Sequence, residues 1–362
     1  MPRDVVLVGA GHASLEVTRR LCRSRDVRLT VVSEFEHTTY SGSVPAHLAG
    51  LVPRSAAEIG LPGLLASRGV TFIRGRAVRV DPGGVGVTLA DGRVVSCDLA
   101  AVTVGSATRL PMAVSPGGPV VPVRPMATFI DRLADALAPL REGRATSIAV
   151  VGGGAAAVEL ALCLRRAAGR PGVLLLTRGR LLPRFPASFV GKAASFLYDA
   201  GIRVVTAAEA VSHRDGTLKT ADGREFSVDV SVWATGPAAV TGLDLVGTRC
   251  DADGFPLAAA DLSLRPAGDL FGAGDGVSLE PALPKAGVYA VRQGPVLATN
   301  LLRAATGRPT RPFRPQSRYL ALASAGDGRA FGHVREVAFA GRWVWRWKRL
   351  LDGRFVARHR TR

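Results

Sequence analysis

Two glycine-rich turns, each between an apolar strand and a helical pattern, have the residue types needed to bind a pyrophosphate. Glycine lets the backbone approach the phosphates closely, and the following helix presents free N–H groups and the positive end of its dipole. At the third glycine position of the motif, the first turn has serine and the second has alanine. The turn residues predicted to bind a dinucleotide are Gly9, Gly11 and Ser14 in the first copy and Gly152, Gly154 and Ala157 in the second.

The two turns belong to an internal duplication. The offset from Gly9 to Gly152 is 143 residues, and the same offset superposes Glu16 on Glu159. Two copies with matched elements predict two dinucleotide-binding sites. The alternative is that one copy is degenerate and serves only as a scaffold. Each copy also has a second apolar strand, 27–32 or 173–176, and a closing strand that runs into Gly105 or Gly236.

The second strands of the two copies end in different residues, and this position contacts the ribose of a bound nucleotide. An acidic side chain there usually accepts hydrogen bonds from the ribose hydroxyls. Glu34 is the candidate in the first copy, one residue beyond the apolar run. The second copy has Thr177 and Arg178, and a cation at this position can bind the 2′-phosphate of NADPH. A solvated surface arginine is the alternative interpretation of Arg178.

The elements that position these motifs predict an α/β fold with two Rossmann-like domains, as in a flavoprotein with two dinucleotide-binding domains. A chain of 362 residues suits two to three domains. Strand-like stretches separated by an Asp-Gly turn between each glycine motif and its closing turn predict β-meander insertions. We expect a discontinuous FAD-binding domain of residues 1–112 and 240–306, an NAD(P)H-binding domain of residues 113–239, and a basic, Trp-rich C-terminal extension of residues 307–362.

The end of the chain has tryptophan at alternating positions, Trp343, Trp345 and Trp347. This alternation predicts a hairpin or strand, followed by a short basic helix. Upstream, residues 270–276 form a third strand and glycine turn, followed by a helix predicted from about Ala286 to Arg303.

Several motifs resemble those of a known group of proteins. The glycine motifs, together with Ala234-Thr235-Gly236 and Gly272-Ala273-Gly274-Asp275, are similar to the pyridine nucleotide-disulfide oxidoreductase superfamily and, within it, to the type II NADH dehydrogenases. The similarity spans roughly residues 4 to 300. Residues 39–45, 285–295 and 343–348 more closely resemble the flavoprotein module fused ahead of selenophosphate synthetase, also called selenide, water dikinase.

This resemblance implies cofactors and site residues. FAD and NADH or NADPH are the expected cofactors. Asp275 would accept hydrogen bonds from the ribityl chain, and the helix beginning near Ala286 would point its N-terminus at the flavin ring, where it stabilises negative charge. The resemblance also assigns Gly274, Tyr40 and Ser41 to cofactor binding, and Glu159, Lys285 and Gln293 to catalysis near the flavin and the acceptor. A helix-surface glutamate is the alternative for Glu159, and its duplicate Glu16 weakens the catalytic interpretation.

The disulfide reductases of the superfamily relay electrons through a C-x4-C pair, and this pair is missing from the matching stretch, which contains serines. We therefore expect NAD(P)H to reduce the flavin, and the flavin to reduce a quinone or another small-molecule acceptor directly. One alternative is a reductase for a sulfur or selenium species. Another is a flavin-binding redox sensor or partner subunit.

The charge of the chain is concentrated at its C-terminal end. The formal net charge is +18, and residues 303–362 contain 15 Arg or Lys against three Asp or Glu. The basic tail has no recognisable nucleic-acid motif, so we expect no nucleic-acid partner. No apolar run reaches about 18 residues, which predicts a cytoplasmic protein. We consider peripheral contact of the basic tail with the inner membrane surface, with packing of the tryptophans on the FAD domain as the alternative. The sequence does not determine the oligomeric state.

Overall fold

The computed structural model describes residues 1–141, 147–167, 171–316 and 319–360. From its start to Thr108 the chain forms β1 (Arg3–Val8), α1 (His12–Leu21), β2 (Val27–Ser33), β3 (His37–Thr39), α2 (Val44–Leu48), β4 (Glu58–Gly60), α3 (Leu61–Ser67), β5 (Thr71–Arg74), β6 (Ala77–Asp81), β7 (Gly86–Leu89), β8 (Val94–Val95), β9 (Leu99–Val102) and β10 (Ala107–Thr108).

The chain then continues through the second copy of the duplicated unit. It contains β11 (Val120–Pro122), α4 (Phe129–Arg141), β12 (Ser147–Val151), α5 (Ala155–Leu164), β13 (Gly172–Leu176), α6 (Ala187–Asp199), β14 (Arg203–Val205), β15 (Ala210–Arg214), β16 (Thr217–Thr220), β17 (Glu225–Ser227), β18 (Val230–Trp233) and β19 (Pro237–Ala238).

Two further groups of elements complete the chain. After the second copy come β20 (Asp244–Leu245), β21 (Leu257–Ala258), β22 (Leu270–Gly272), β23 (Ser278–Leu279) and α7 (Gly287–Ala305). The C-terminal elements are β24 (Ala321–Ser324), β25 (Ala330–Val334), β26 (Val337–Gly341) and α8 (Arg342–Arg358).

Each copy of the duplication forms a parallel five-stranded sheet. The first sheet has the order β22-β9-β1-β2-β5, and the second has the order β11-β18-β12-β13-β14. The strands read as almost continuous apolar runs because helices cover both faces of a parallel sheet. The antiparallel ladders β6-β7-β8 and β15-β16-β17 are the two meanders. The α/β prediction with two Rossmann-like domains and meander insertions is confirmed.

A short antiparallel ladder marks the place where the chain crosses between the two sheets. Ala107 of β10 pairs with Ala238 of β19, and Thr108 pairs with Pro237. The chain thus leaves the first sheet after β10, completes the second sheet, and returns beside its point of departure. The predicted boundaries at residues 112 and 240 lie within a few residues of this ladder.

The C-terminal residues pack on both domains. The antiparallel sheet β24-β25-β26 covers the second domain, where the fully buried Phe331 has ring centroids 5.2 Å from those of Phe189 and of Phe196. From this sheet α8 runs back to the first domain, where Val356 joins the hydrophobic core around β1. The helix therefore connects the two duplicated units.

The predicted strand around the tryptophans was wrong, because α8 already begins at Arg342. The buried positions of the helix are four residues apart, at Val344, Lys348, Asp352 and Val356. Two of these four side chains are charged, so the sequence shows no apolar stripe of helical period. Alternating tryptophans then suggest a strand, although Trp343 and Trp347 in fact stack one helical turn apart.

Candidate functional site

The carboxyl ends of both parallel sheets open into one cleft of about 1920 Å³. Ligands of open α/β sheets bind at this end of the strands. The volume exceeds the roughly 300–1,000 Å³ typical of a site for one small ligand. Both predicted dinucleotide turns contribute to the lining, so the cleft has room for two nucleotides that meet between the domains.

The first glycine turn approaches the end of β9 so closely that a side chain cannot be accommodated. Gly9 has φ +91°, and a Cβ there would lie 2.7 Å from the backbone nitrogen of Val104. A Cβ on Gly11 would lie 2.7 Å from the carbonyl oxygen of Thr103. Ser14 is buried behind the turn, where its hydroxyl donates to the carbonyl of Gly9 at 2.8 Å and lies 2.6 Å from the Thr103 hydroxyl. The serine thus ties the turn to β9.

The second glycine turn repeats this packing and leaves one side free. Gly152 has φ +144°, and a Cβ there would collide with the carbonyl oxygen of Ala234. A Cβ on Gly154, by contrast, would meet no atom within 4 Å. Ala157 is fully buried against the turn and packs in the core of the second domain. Gly154 therefore presents open backbone to the cleft at the N-terminus of α5, as a bound pyrophosphate requires.

The residues that follow the second strands line the cleft in both copies. Glu34 lies beside the first turn, with its carboxylate 3.7 Å from Arg76. Arg178 lies beside the second turn, with 79% of its side chain exposed and its guanidinium 3.6 Å from Glu209. Arg180 and Arg184 also line the cleft. The second domain therefore contributes several cations to the cleft lining.

The third glycine turn brings Asp275 into the cleft. Gly274 has φ +82°, and its N–H donates to the side-chain oxygen of Gln293 at 2.6 Å. Gln293 is buried behind this turn, outside the described lining of the cleft. The carboxylate of Asp275 accepts a hydrogen bond from Arg124 of the second domain at 3.0 Å. Sequence reasoning missed Arg124, which follows a short strand without any motif.

The N-terminus of α7 also lies at the cleft. Ala286 is the N-cap of the helix and lines the cleft together with Lys285 and Ser41. The Lys285 ammonium donates to the carbonyl of Val277 and lies 4.0 Å from the centre of the Phe255 ring. Burial lowers the pKa of Lys285, so this ammonium holds its proton less firmly than a surface lysine.

Tyr40, predicted with Ser41 to bind the cofactor, packs against the C-terminal helix α8. Its ring stacks on Phe355 of α8 at 4.4 Å, and its hydroxyl donates to Asp352 at 3.0 Å. Among the described residues, Ser41 and not Tyr40 is part of the cleft lining. Tyr40 therefore connects the wall of the cleft to the C-terminal helix. The two closing turns, Gly105 and Gly236, both line the cleft.

Glu159 lies on the cleft in a buried charge cluster that the sequence did not indicate. Its carboxylate accepts the N–H of Ser324 at 2.7 Å and lies 3.8 Å from the ammonium of Lys348. Lys348 donates to the carbonyl of Gly42 at 2.6 Å and to Asp352 at 2.9 Å. Burial raises the pKa of Glu159, partly against the effect of Lys348. Burial disfavours the Lys348 charge, but the carboxylates of Glu159 and Asp352 outweigh it and raise the pKa of this lysine.

The duplicated Glu16 has different surroundings, although α8 reaches it too. Its carboxylate is bound by Arg19 and Arg20 of its own helix, and lies 3.9 Å from His359. Burial raises the pKa of Glu16, but the two arginines outweigh it and lower the pKa to about 2. Burial lowers the pKa of His359 to about 4. Glu16 is therefore a structural group whose lowered pKa favours the ionised form, whereas Glu159 lines the cleft with a raised pKa.

All four cysteines fall within the described residues, and none of them lines the cleft. Cys97 and Cys163 are buried, Cys22 is half-buried and Cys250 is exposed, and all four are free thiols. Burial raises the pKa of the Cys97 thiol to about 12 and raises that of Cys163 as well. The thiols of Cys97 and Cys163 therefore lack the thiolate character that disulfide exchange requires.

Comparison with known proteins identifies the family. The family model described as pyridine nucleotide-disulphide oxidoreductase matches residues 3–299. The chain belongs to this family. It is an oxidoreductase and a flavoprotein, with FAD and NADH or NADPH as cofactors. No curated protein sequence matches the chain. Among the described residues, no helix is both long and apolar enough to cross a membrane.

Solved structures share the fold of this flavoprotein at low sequence identity. The sulfide:quinone oxidoreductase of the hyperthermophilic bacterium Aquifex aeolicus aligns with a TM-score of 0.80 and 15% identity, over 99% of this chain and 91% of that one. An engineered water-forming NADPH oxidase bound to NADPH has a TM-score of 0.74 and 22% identity, over 91% and 74% of the chains. A putidaredoxin reductase in covalent complex with putidaredoxin has a TM-score of 0.73 and 19% identity, over 92% and 81%.

The two glycines of the second turn provide a matched test of the nucleotide site. We expect Gly154→Ala to fold with an unchanged melting temperature but to weaken NAD(P)H binding about tenfold, because its methyl group enters the space of the pyrophosphate. Gly152→Ala should instead destabilise the protein, because its Cβ collides with Ala234. Thermal unfolding and titration of the FAD-loaded protein measure both effects. Unchanged NADH and NADPH affinities in a folded Gly154→Ala variant would contradict this assignment of the turn.

Proposed function

We propose that this flavoprotein oxidises NAD(P)H and passes the electrons from FAD directly to a quinone or another small acceptor. The observation that carries the proposal is the cleft, which is lined by both dinucleotide turns and, among the described residues, by no cysteine. A relay through protein thiols needs two cysteines within bonding distance beside the flavin. The sequence resemblance to type II NADH dehydrogenases supports the same acceptor class.

In this proposal the first domain binds FAD and the second binds NAD(P)H. Gly9 and Gly11 would lie against the FAD pyrophosphate, and Gly152 and Gly154 against that of NAD(P)H. Bound FAD supplies the group that accepts a hydride and passes its two electrons on. The N-terminus of α7 stabilises negative charge at the ring without reorganisation. Lys285 is proposed to act at the acceptor side.

Glu159 is proposed to move a proton during reduction of the acceptor. Reducing a quinone to a quinol takes two electrons and two protons, one of which NAD(P)H supplies with the hydride, while the other comes from water. A carboxyl group with a raised pKa on the cleft can carry this second proton. Lys348, which also lines the cleft and is held by Gly42 and Asp352, lies 3.8 Å from the Glu159 carboxylate and helps to fix that side chain. Gln293 supports the site indirectly by holding the Gly274 turn.

The electron and proton routes can be tested in one stopped-flow experiment on FAD-loaded protein. A variant with all four cysteines changed to serine or alanine is expected to keep flavin reduction and quinone turnover within a few-fold. Glu159→Gln should keep flavin reduction by NAD(P)H but slow reoxidation by quinone roughly 100-fold or more, as expected on losing a general acid.

The control for this experiment is Glu16→Gln, which changes the duplicate glutamate and should leave reoxidation unchanged. Loss of turnover in a folded, FAD-loaded variant of one cysteine would overturn the direct route. Normal reoxidation of Glu159→Gln would remove Glu159 from the proton route.

The second domain is proposed to use NADPH at least as well as NADH. Arg178 occupies the position where a carboxylate usually binds the ribose, and two further arginines of the second domain line the cleft. The solved NADPH oxidase that shares this fold was engineered with an aspartate-to-alanine and an adjacent alanine-to-arginine substitution, and is bound to NADPH. The pairing of Arg178 with Glu209 at 3.6 Å is loose and exposed, so the guanidinium is free to turn toward a phosphate.

Arg178→Ala is therefore expected to raise the KM for NADPH about tenfold while leaving the KM for NADH nearly unchanged, because only NADPH has the 2′-phosphate. Steady-state kinetics with both nucleotides measure this difference. Arg214→Ala, which removes an exposed arginine of the same domain away from the cleft, is the control. A large preference for NADH in the wild type that Arg178→Ala leaves unchanged would contradict the proposal.

A second candidate function is reduction of a sulfur or selenium species. It is favoured by the resemblance of residues 39–45, 285–295 and 343–348 to the module fused to selenophosphate synthetase. Faster reoxidation of the reduced flavin by a glutathione persulfide than by quinones, under the same anaerobic conditions, would favour this candidate over quinone.

We also propose that α8 makes peripheral contact with a membrane surface. The outward face of the helix exposes Trp343, Leu350 and Leu351 between arginines. Tryptophan prefers the membrane interface, and each Arg near anionic lipid contributes about 1 kcal/mol. The exposed arginines of this face are Arg342, Arg346, Arg354 and Arg358.

Co-sedimentation with phosphatidylglycerol vesicles tests this contact. We expect Trp343→Ala combined with Leu350→Ala to reduce the bound fraction several-fold, whereas Tyr198→Ala, which removes an exposed aromatic ring of the second domain, should leave it unchanged. Equal sedimentation of both variants and the wild type would dismiss the contact through α8.

A further inference from the structure

Arg124 and Asp275 form an ion pair that joins the two domains inside the cleft. The Arg124 guanidinium donates to Oδ2 of Asp275 at 3.0 Å, and 20% of each side chain is exposed. The two residues are 151 positions apart in sequence, and each belongs to a different Rossmann-like domain. A partly buried, charge-assisted hydrogen bond is stronger than a solvated surface pair.

The backbone holds both partners in place. The N–H of Arg124 donates to the hydroxyl of Thr108 at 2.8 Å, beside the ladder where the chain crosses between domains. Asp275 sits in the turn fixed by Gln293, and a Cβ on the next residue, Gly276, would lie 2.7 Å from the carbonyl of Gly105. Neither partner can move far without disturbing these contacts. The pair is therefore preorganised before any cofactor binds.

Arg124 is the cation that is hydrogen-bonded to Asp275 on the cleft. His12 and Lys285 also interact electrostatically with Asp275, and burial lowers the pKa of both. Among the described residues, Arg124 engages only Oδ2, which leaves Oδ1 to accept a hydrogen bond from a cofactor hydroxyl.

We propose that Arg124 is a positioning residue for FAD, which holds the Asp275 carboxylate in its binding orientation and places a fixed positive charge beside the flavin. The role depends on the proposed binding of the ribityl chain by Asp275. A positive charge near the ring favours the anionic reduced flavin over the neutral oxidised form. Arg124 therefore acts both on FAD affinity and on the reduction potential of the flavin.

The experiment measures FAD binding to the apoprotein by fluorescence and the midpoint potential of the bound flavin by dye equilibration. Arg124→Ala is expected to raise the FAD dissociation constant about tenfold or more and to lower the midpoint potential. Arg124→Lys keeps the charge and should recover most of the potential but less of the affinity. Arg132→Ala, which removes a cation bound to the carbonyl of neighbouring Pro125, should resemble the wild type.

The outcomes separate the role of Arg124 from the proposed function. Wild-type protein that binds no FAD would overturn both. If the wild type binds FAD, an unchanged potential in Arg124→Ala, or an equal change in Arg132→Ala, would overturn the positioning role alone. Tighter FAD binding by Arg124→Ala would also overturn it, since the ion pair would then compete with the cofactor.

Discussion

The close backbone packing at two glycine turns is the constraint on which the site depends. At Gly9 and at Gly152 the chain passes so near the end of a neighbouring strand that a Cβ would collide with backbone atoms. Both residues also have positive φ, which side chains disfavour. This packing starts α1 and α5 at the carboxyl edges of their sheets, with free N–H groups directed at the cleft. The two glycine turns therefore line one shared cleft.

The C-terminal helix gives the duplicated halves different chemistry. It places Lys348 against Glu159 and His359 against Glu16, so one helix contacts both copies of the same glutamate. The pKa values of the two glutamates shift in opposite directions, because two arginines lower the pKa of Glu16 while burial raises the pKa of Glu159. Duplication supplies two equivalent positions, and the contacts around them make one glutamate a structural group and place the other on the cleft.

The sequence predicted the parts of the fold whose physical cause is local. Glycine turns, apolar parallel strands and the helix starting near Ala286 all leave periodic or conformational signals, and α7 indeed begins at Gly287. Buried charges leave no such signal. Lys348, Asp352 and Arg124 have the residue types of a solvated surface, and only tertiary packing shows that they line or support the cleft. The same buried charges hid the helical period of α8.

In the proposed electron route, bound FAD is the one group that stores electrons from NAD(P)H. This route can be measured in an anaerobic titration of FAD-loaded wild-type protein with NADPH, followed by flavin absorbance. One hydride carries two electrons, so we expect complete bleaching at one equivalent of NADPH per FAD, with no change in the number of free thiols. Uptake of a second equivalent accompanied by the appearance of two new thiols would reveal a redox-active disulfide and rule out the direct route.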